Sequence, residues 1–327
     1  MKSVILLIAA LPLAAQPKLL VNAQTDARSA ASGLEGVFRT LLTAQPQPAW
    51  IGYSVPSVRT YNLGCDYVRD GFGQPGVVHL EPPDHAVILF RVEGNAVNRI
   101  RTISPDCEID AGNVPFHWLN DVQPAQSVAL LVSMMPERDR LGESPAGAIA
   151  QHADPAADQA LERFLATDQP ESLRVRVVSW MGSSRGKHGL DVLKKIIAGD
   201  PDERVRERAV SAVANSREPE AFDLIASIAQ KDSNPRLREQ AISALGRRHE
   251  KGVVTILAKA IESDPDTQVK RRAVSALNQL PDGEGIPELI QVVKTTPNSE
   301  VRKHAMSTLG QSRDPRAVAF FEDVLKR

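Results

Sequence analysis

Five stretches of this chain superimpose without one insertion, each 32 residues after the last. They read LRVRVVSWMG from Leu173, VRERAVSAVA from Val205, LREQAISALG from Leu237, VKRRAVSALN from Val269 and VRKHAMSTLG from Val301. A fixed period of this length is the signature of a stacked-repeat architecture, in which each unit is too small to bury its own apolar face. Within each stretch the aliphatic first position is followed by apolar or small residues four, five and eight positions on. Val177, Ala209, Ala241, Ala273 and Ala305 hold the fourth offset. Val178, Val210, Ile242, Val274 and Met306 hold the fifth, and Met181, Val213, Leu245, Leu277 and Leu309 the eighth. These offsets fall on one side of a helix with 3.6 residues per turn. We term this helix A.

Polar turns precede it: Asp200-Pro201-Asp202, Asp232-Ser233-Asn234, Asp264-Pro265-Asp266 and Thr296-Pro297-Asn298. Asp and Asn there suit caps for free backbone N–H groups. A second helix, B, is predicted after each A, over Leu190–Ala198, Ala221–Gln230, Val253–Glu262, Ile286–Lys294 and Ala317–Lys326. Its apolar columns include Leu193, Ile225, Leu257, Leu289 and Phe321, and Ile196, Ile228, Ala260, Val292 and Val324. The segment Ala160–Ala166 places Leu161 and Phe164 one period before Leu193 and Ile196, as a half-repeat.

The pattern Asp-x-x-x-x-Val-Arg-x-x-Ala-Val-x-Ala-Leu-Gly, followed by a turn and a Leu-rich helix, is best kept at Asp200–Val213 and Asp232–Gly246. It resembles HEAT repeats of the short, phycobilisome-lyase-like kind. The resemblance implies an α-solenoid that binds partners on its helix-B side, and it covers about half the chain. The expected fold is therefore mainly α, with about five HEAT-type pairs beside a small α+β domain. The basic column Arg174, Arg206, Arg238, Lys270 and Arg302 is also a feature of the family. One charge per repeat suits a structural ladder between stacked units.

Two enzyme types resemble this scaffold. A deoxyhypusine-hydroxylase-like, metal-dependent oxidoreductase would need several His-Glu pairs at the starts of its A helices, because two metals require converging ligands. This chain has one such pair, His249-Glu250, placed in an A–B turn, and His304 is followed by Ala305. Lyase-like chemistry is the other resemblance, and it supplies no motif to test. No G-x-S-x-G, H-E-x-x-H or P-loop motif occurs. His79, Glu81, Asp84 and His85 are the nearest approach to a ligand set, and a polar turn is the expected reading of them. The expectation is a non-enzyme with no cofactor and no metal.

The rest of the chain has a different texture. Residues 1–15 read as a signal peptide: Lys2, an apolar run from Val4 to Leu13, then Ala14 and Ala15 before a cut near Gln16. Residues 16–25 follow as a leader segment. No later apolar run is long enough to span a bilayer, so no stable membrane anchor is expected after cleavage. The protein is expected to be exported, periplasmic or extracellular. The only cysteines are Cys65 and Cys107. In an exported chain an even pair suggests one disulfide, and two buried thiols are the alternative.

Residues 26–135 read as a small α+β domain, with a helix over Asp26–Thr43 and strands at Trp50–Val55, Val77–Leu80, Ala86–Val92, Val97–Ile103 and Val114–Leu119. Glu93-Gly94-Asn95 is a hairpin signal. Ser127–Met135 suits a short strand or a helix. Residues 136–156 read as a linker or degenerate first repeat, and 157–327 as the solenoid.

The formal net charge is −1 and aromatics make up 4% of the residues, which argues against nucleic acid as partner. The expected partner is another protein. The expected contact surface is the part of helix B that varies between repeats: Lys194, Lys195, Ser227, Lys259, Gln291, Glu322 and Asp323. The last helix carries Val318, Phe320, Phe321, Val324 and Leu325, and is expected to dock on the N-terminal domain, on a second copy or on a partner.

Overall fold

The computed structural model describes residues 19–44, 47–58, 63–65, 83–137, 141–142 and 144–326. The chain divides into two compact units, residues 1–164 and 165–327. The expected signal peptide, the Val77–Leu80 strand, His79 and Glu81 lie outside the described residues.

In the N-terminal unit, strands β1 (Leu19–Val21), β2 (Gln24–Ser29), β3 (Ala49–Pro56), β4 (His85–Glu93), β5 (Ala96–Ile103), β6 (Glu108–Asp110) and β7 (Pro115–Asn120) form two sheets. The larger has the order β2-β7-β3-β4-β5, and the smaller pairs β1 with β6. β2, β7 and β3 run parallel, and β3, β4 and β5 antiparallel. The β4–β5 turn places Gly94 and Asn95 both at φ +59°, the two-residue hairpin that the sequence signals. Helices α1 (Leu34–Ala44) and α2 (Pro124–Ser133) also belong to this unit. On one face of the larger sheet Phe38 of α1 packs edge-on against Phe90 at 4.9 Å between centroids, and Tyr53 lies 5.6 Å from the same ring. On the other face Val87, Leu89, Ile103, Cys107, Phe116 and Trp118 form a second apolar cluster. The disulfide joins Cys65 to Cys107 beside it.

Two expectations change here. From Leu19 onward, the expected leader and the start of the Asp26–Thr43 helix hold strands β1 and β2. All six side chains of β2 are exposed, so no alternation betrays it, and its partner β7 lies 91 residues on. The helix begins only at Leu34, after Gly33 at φ +129°. The region 136–156, expected as a linker or degenerate first repeat, contains α3 (Ser144–Gln151), a packed helix with Ala146, Ala148, Ile149 and Gln151 buried. Its Pro145 sits in the first turn, where a missing N–H costs nothing. The region Ser127–Met135, expected as strand or helix, is mostly helix α2.

Helix α4 (Pro155–Leu165) ends at the division between the units. The C-terminal unit is then a strict alternation. The A helices are α5 (Glu171–Ser184), α7 (Glu203–Val213), α9 (Pro235–Leu245), α11 (Thr267–Gln279) and α13 (Ser299–Gln311), and the B helices are α6 (Gly186–Gly199), α8 (Glu220–Lys231), α10 (Val253–Ser263), α12 (Ile286–Thr295) and α14 (Pro315–Leu325). The expected turns cap them. Asp202 accepts from the N–H groups of Arg204 and Val205, Asn234 from that of Arg236, Asp266 from Gln268 and Val269, and Asn298 from Glu300 and Val301. Small residues let neighbouring A helices touch. A Cβ on Gly246 would meet Ala276 Cα at 2.9 Å, and one on Gly182 would collide with the carbonyl of Ala212. No helix among the described residues is long and apolar enough to cross a membrane.

Candidate functional site: the repeat surface

The stack is fastened from inside by a ladder in the expected basic column, but its rungs are unequal. Arg174 and Asp200 form a buried ion pair, and Arg174 Nε donates to the Leu165 carbonyl at 2.9 Å. Arg238 repeats this 26 residues from Asp264: Nε and Nη2 donate to the two carboxylate oxygens, each at 2.8 Å, and Nη1 donates to the Asp232 carbonyl. Each aspartate also accepts a backbone N–H two residues on, so one carboxylate closes the turn and holds the arginine. Arg206 breaks the series. Its Nε is buried without a hydrogen-bond partner among the described residues, while Asp232 accepts from the Asn234 N–H. At the fourth rung the acid column holds Thr296, and Lys270 donates to the Glu262 carbonyl at 3.0 Å. Arg302 turns to the Thr296 carbonyl.

A second, exposed ladder was not anticipated. Arg204 reaches back to Glu171 at 3.1 Å and Arg236 to Glu203 at 3.0 Å. Its signal, Glu then Arg 33 residues later, was present in the periodic alignment. Exposed pairs of this kind contribute little, because solvent and salt screen them.

The buried columns hold their chemistry. Val178, Val210, Ile242 and Val274 are all 0% exposed, while Met306 in the same column is 39% exposed. On helix B, Leu193, Ile225, Leu257 and Leu289 are 0% exposed. In the last helix only Ala317 is buried, and Val318, Val324 and Leu325 are open, Leu325 at 86%.

One column of helix B faces solvent in every repeat: Lys195, Ser227, Lys259, Gln291 and Asp323. Its chemistry changes at every step, from cation to hydroxyl to cation to amide to carboxylate. The neighbouring Lys194 is half-buried and engaged with Glu220 at 2.9 Å. That hydrogen bond raises the Lys194 pKa and lowers that of Glu220. Glu322 is exposed beside Asp323.

The remaining titratable groups of interest lie apart from this surface. Glu250 of the His249-Glu250 pair accepts from Arg248 Nε at 2.8 Å, which lowers its pKa. His304 packs against Ser275 at 2.9 Å; burial and the charge of Arg271 lower its pKa. His85 Nδ1 meets Asp84 at 2.9 Å. Among the described residues no group of three or more His, Cys, Asp or Glu side chains is placed to hold a metal ion.

In the N-terminal unit a buried polar relay escaped sequence reasoning. His152 Nδ1 meets the Ala148 carbonyl at 2.8 Å and therefore carries the proton. Its Nε2 then accepts from Ser127 Oγ at 2.8 Å, and Ser127 accepts from the Tyr53 hydroxyl at 2.7 Å. Burial pushes the Tyr53 pKa up. Tyr53, Ser127 and His152 are all 0% exposed, so the serine and histidine, though arranged like a nucleophile and base, are closed off from solvent. They satisfy one another where α2 and α3 carry polar groups into the core.

Comparison with known proteins agrees with this architecture. HEAT repeats are matched over residues 190–278 and 254–327. The C-terminal half of the chain is a HEAT-repeat α-solenoid. Among solved structures, the complex of CpcE and CpcF of phycocyanin lyase from Nostoc sp. PCC7120 is similar at 17% identity and a TM-score of 0.36, over 47% of this chain and 99% of that one. Human deoxyhypusine hydroxylase in complex with glycerol is similar at 15% identity and a TM-score of 0.33, over 61% of this chain and 90% of that one. A comparison with the curated proteins finds no match.

Proposed function

We propose that this chain is an exported interaction protein whose solenoid binds another protein through the exposed face of its B helices. One observation carries the reading. The columns that stack the repeats hold the same apolar chemistry, at 0% exposure in four successive units, while the column Lys195, Ser227, Lys259, Gln291 and Asp323 is exposed throughout and changes at each step. A surface spaced by one helix pair per repeat offers a partner an extended set of distinct contacts. HEAT repeats commonly serve as protein-binding scaffolds, which supports the class of partner. Photo-cross-linking groups placed along this column, with controls on the A helices, test the reading.

Export is supported by the apolar run between Lys2 and Ala15 and by the disulfide, since such bonds persist in oxidising compartments. Mass measurement of the protein purified from its native host should find a mature chain starting at Gln16. A chain retaining Met1 and confined to the cytoplasm removes this part of the proposal.

Self-association through α14 belongs to the same reading, because Val318, Val324 and Leu325 are open. Light scattering that returns a monomer at high concentration removes it.

A further inference from the structure

Strand β2 is an edge of the larger sheet in the N-terminal unit. Its register against β7 runs without a break from Gln24 opposite Pro115 to Ser29 opposite Asn120. Amide groups alternate sides along a strand, so one ladder bond fixes the direction of the rest. At the end of the strand the Ala30 N–H donates to the Asn120 carbonyl at 2.9 Å. The N–H and C=O groups of Gln24, Asp26 and Arg28 therefore face β7, and those of Thr25, Ala27 and Ser29 face away. Among the described residues no strand pairs with that outer side. A regular edge of this kind is a template for a further strand unless something blunts it. The opposite edge, β5, is blunted by a register shift against β4 at Arg91 and Val92. β2 has no shift and no proline, and all six of its side chains are exposed.

The side chains of this edge are complementary to themselves. Around Ala27, the segment Thr25-Asp26-Ala27-Arg28-Ser29 has an acid on one side and a base on the other, each flanked by a hydroxyl. A second copy laid antiparallel about a two-fold axis at Ala27 sets Ala27 opposite Ala27, Asp26 opposite Arg28 and Thr25 opposite Ser29. The outward amides then bond to one another, and Asp26 and Arg28 fall at the closer, non-hydrogen-bonded positions. Opposite charges meet twice across that seam, which stabilises a sheet. Registers centred on Asp26 or on Arg28 put like charges face to face, which destabilises it. Within one chain Arg28 already meets Asp26 at 3.0 Å, and His117 contacts the same carboxylate. Asp26 and Arg28 stay 45% and 46% exposed, which leaves room for the second pair.

We propose that this chain dimerises by edge-to-edge pairing of β2 with β2 of a second copy, joining two five-stranded sheets into one. The pairing is isologous, so it closes at two copies and builds no fibre. The competing account is that Asp26 and Arg28 are edge charges that deter pairing. It predicts that this edge stays alone. The proposal concerns the N-terminal unit and is independent of both the B-helix face and α14.

The test is sedimentation equilibrium of the full oxidised chain at moderate salt. A dimer with a Kd below about 100 μM is expected. Ala27→Pro removes an outward N–H and spares the bonds to β7, so it should weaken association about tenfold or more with circular dichroism unchanged. Leu325→Ser on α14 should leave the Kd within about twofold. Ala27→Cys gives a second reading. The two-fold axis brings the paired Cα atoms to about 5.5 Å, within disulfide range, so oxidation should yield a covalent dimer. Gln24→Cys, which this register holds away from its own copy, should yield none. A wild-type monomer up to about 500 μM overturns the proposal. So does a dimer that Ala27→Pro leaves unchanged or that Leu325→Ser abolishes. Where Ala27→Pro fails to fold, cross-linking decides: no adduct from Ala27→Cys, or an equal one from Gln24→Cys, overturns the proposal.

Discussion

Arg238 and Asp264 stand 26 residues apart in the chain and face each other through two parallel hydrogen bonds, each 2.8 Å. Their side chains are only 8% and 6% exposed, so the pair is buried between successive repeats. A buried pair of this geometry contributes register more reliably than net stability, because desolvating both charges offsets much of their attraction. Removing one member is another matter. Asp264→Ala leaves the arginine buried and uncompensated, and should destabilise the solenoid by about 3–5 kcal/mol in denaturant unfolding. The double variant Arg238→Met with Asp264→Leu should recover most of that loss. Arg206→Met, where Nε already lacks a partner, should be neutral or stabilising. A loss under about 1 kcal/mol for Asp264→Ala would show that the rung carries no weight.

His304 offers a pH dependence of known sign. Burial, with the nearby charge of Arg271, lowers its pKa below 6.5. The folded state then binds fewer protons than the unfolded state as pH falls below about 6.5, so stability falls with pH in that window. The unfolding midpoint should drop between pH 7.5 and 5.5, and His304→Gln should flatten that slope. An identical slope in the variant would assign the effect elsewhere.

The disulfide closes a loop with a sequence separation of 42. In the chain-entropy description this stabilises the N-terminal unit by about 4 kcal/mol. Reduction, or Cys107→Ser, should lower the melting transition of that unit and leave the transition of the repeats in place. A shift of both transitions together would contradict the division of the chain into two units.

The repeat half was legible because its period never slips: the columns, once found, placed all ten helices, the caps of four A helices and the buried Ala209–Ala241–Ala273 seam. What was not legible depends on partners far away in sequence. Strand β2 reads as polar loop because its side chains are exposed, and only pairing with β7, 91 residues on, makes it a strand. The relay of Tyr53, Ser127 and His152 joins three ordinary residues from separate elements. Helix α3 was hidden by Pro145 and a run of small residues, which weaken the apolar contrast on which periodicity depends. Of the expected binding surface, the exposed column was readable from its variability. That Lys194 is drawn into an ion pair with Glu220 was not, since the turn bringing Glu220 near varies between repeats.

The central claim is that a protein partner lies on the B-helix face. The direct measurement places a photo-cross-linking residue, one at a time, at Ser227, Lys259 and Gln291, and at the exposed A-helix positions Arg272 and Lys303 as controls. Each full-length variant is irradiated in its native compartment, and adducts are identified by mass spectrometry. The account predicts one partner shared by the three B-helix positions and absent from both controls. Adducts formed equally from Arg272 and Lys303, or none from any B-helix position, would contradict it.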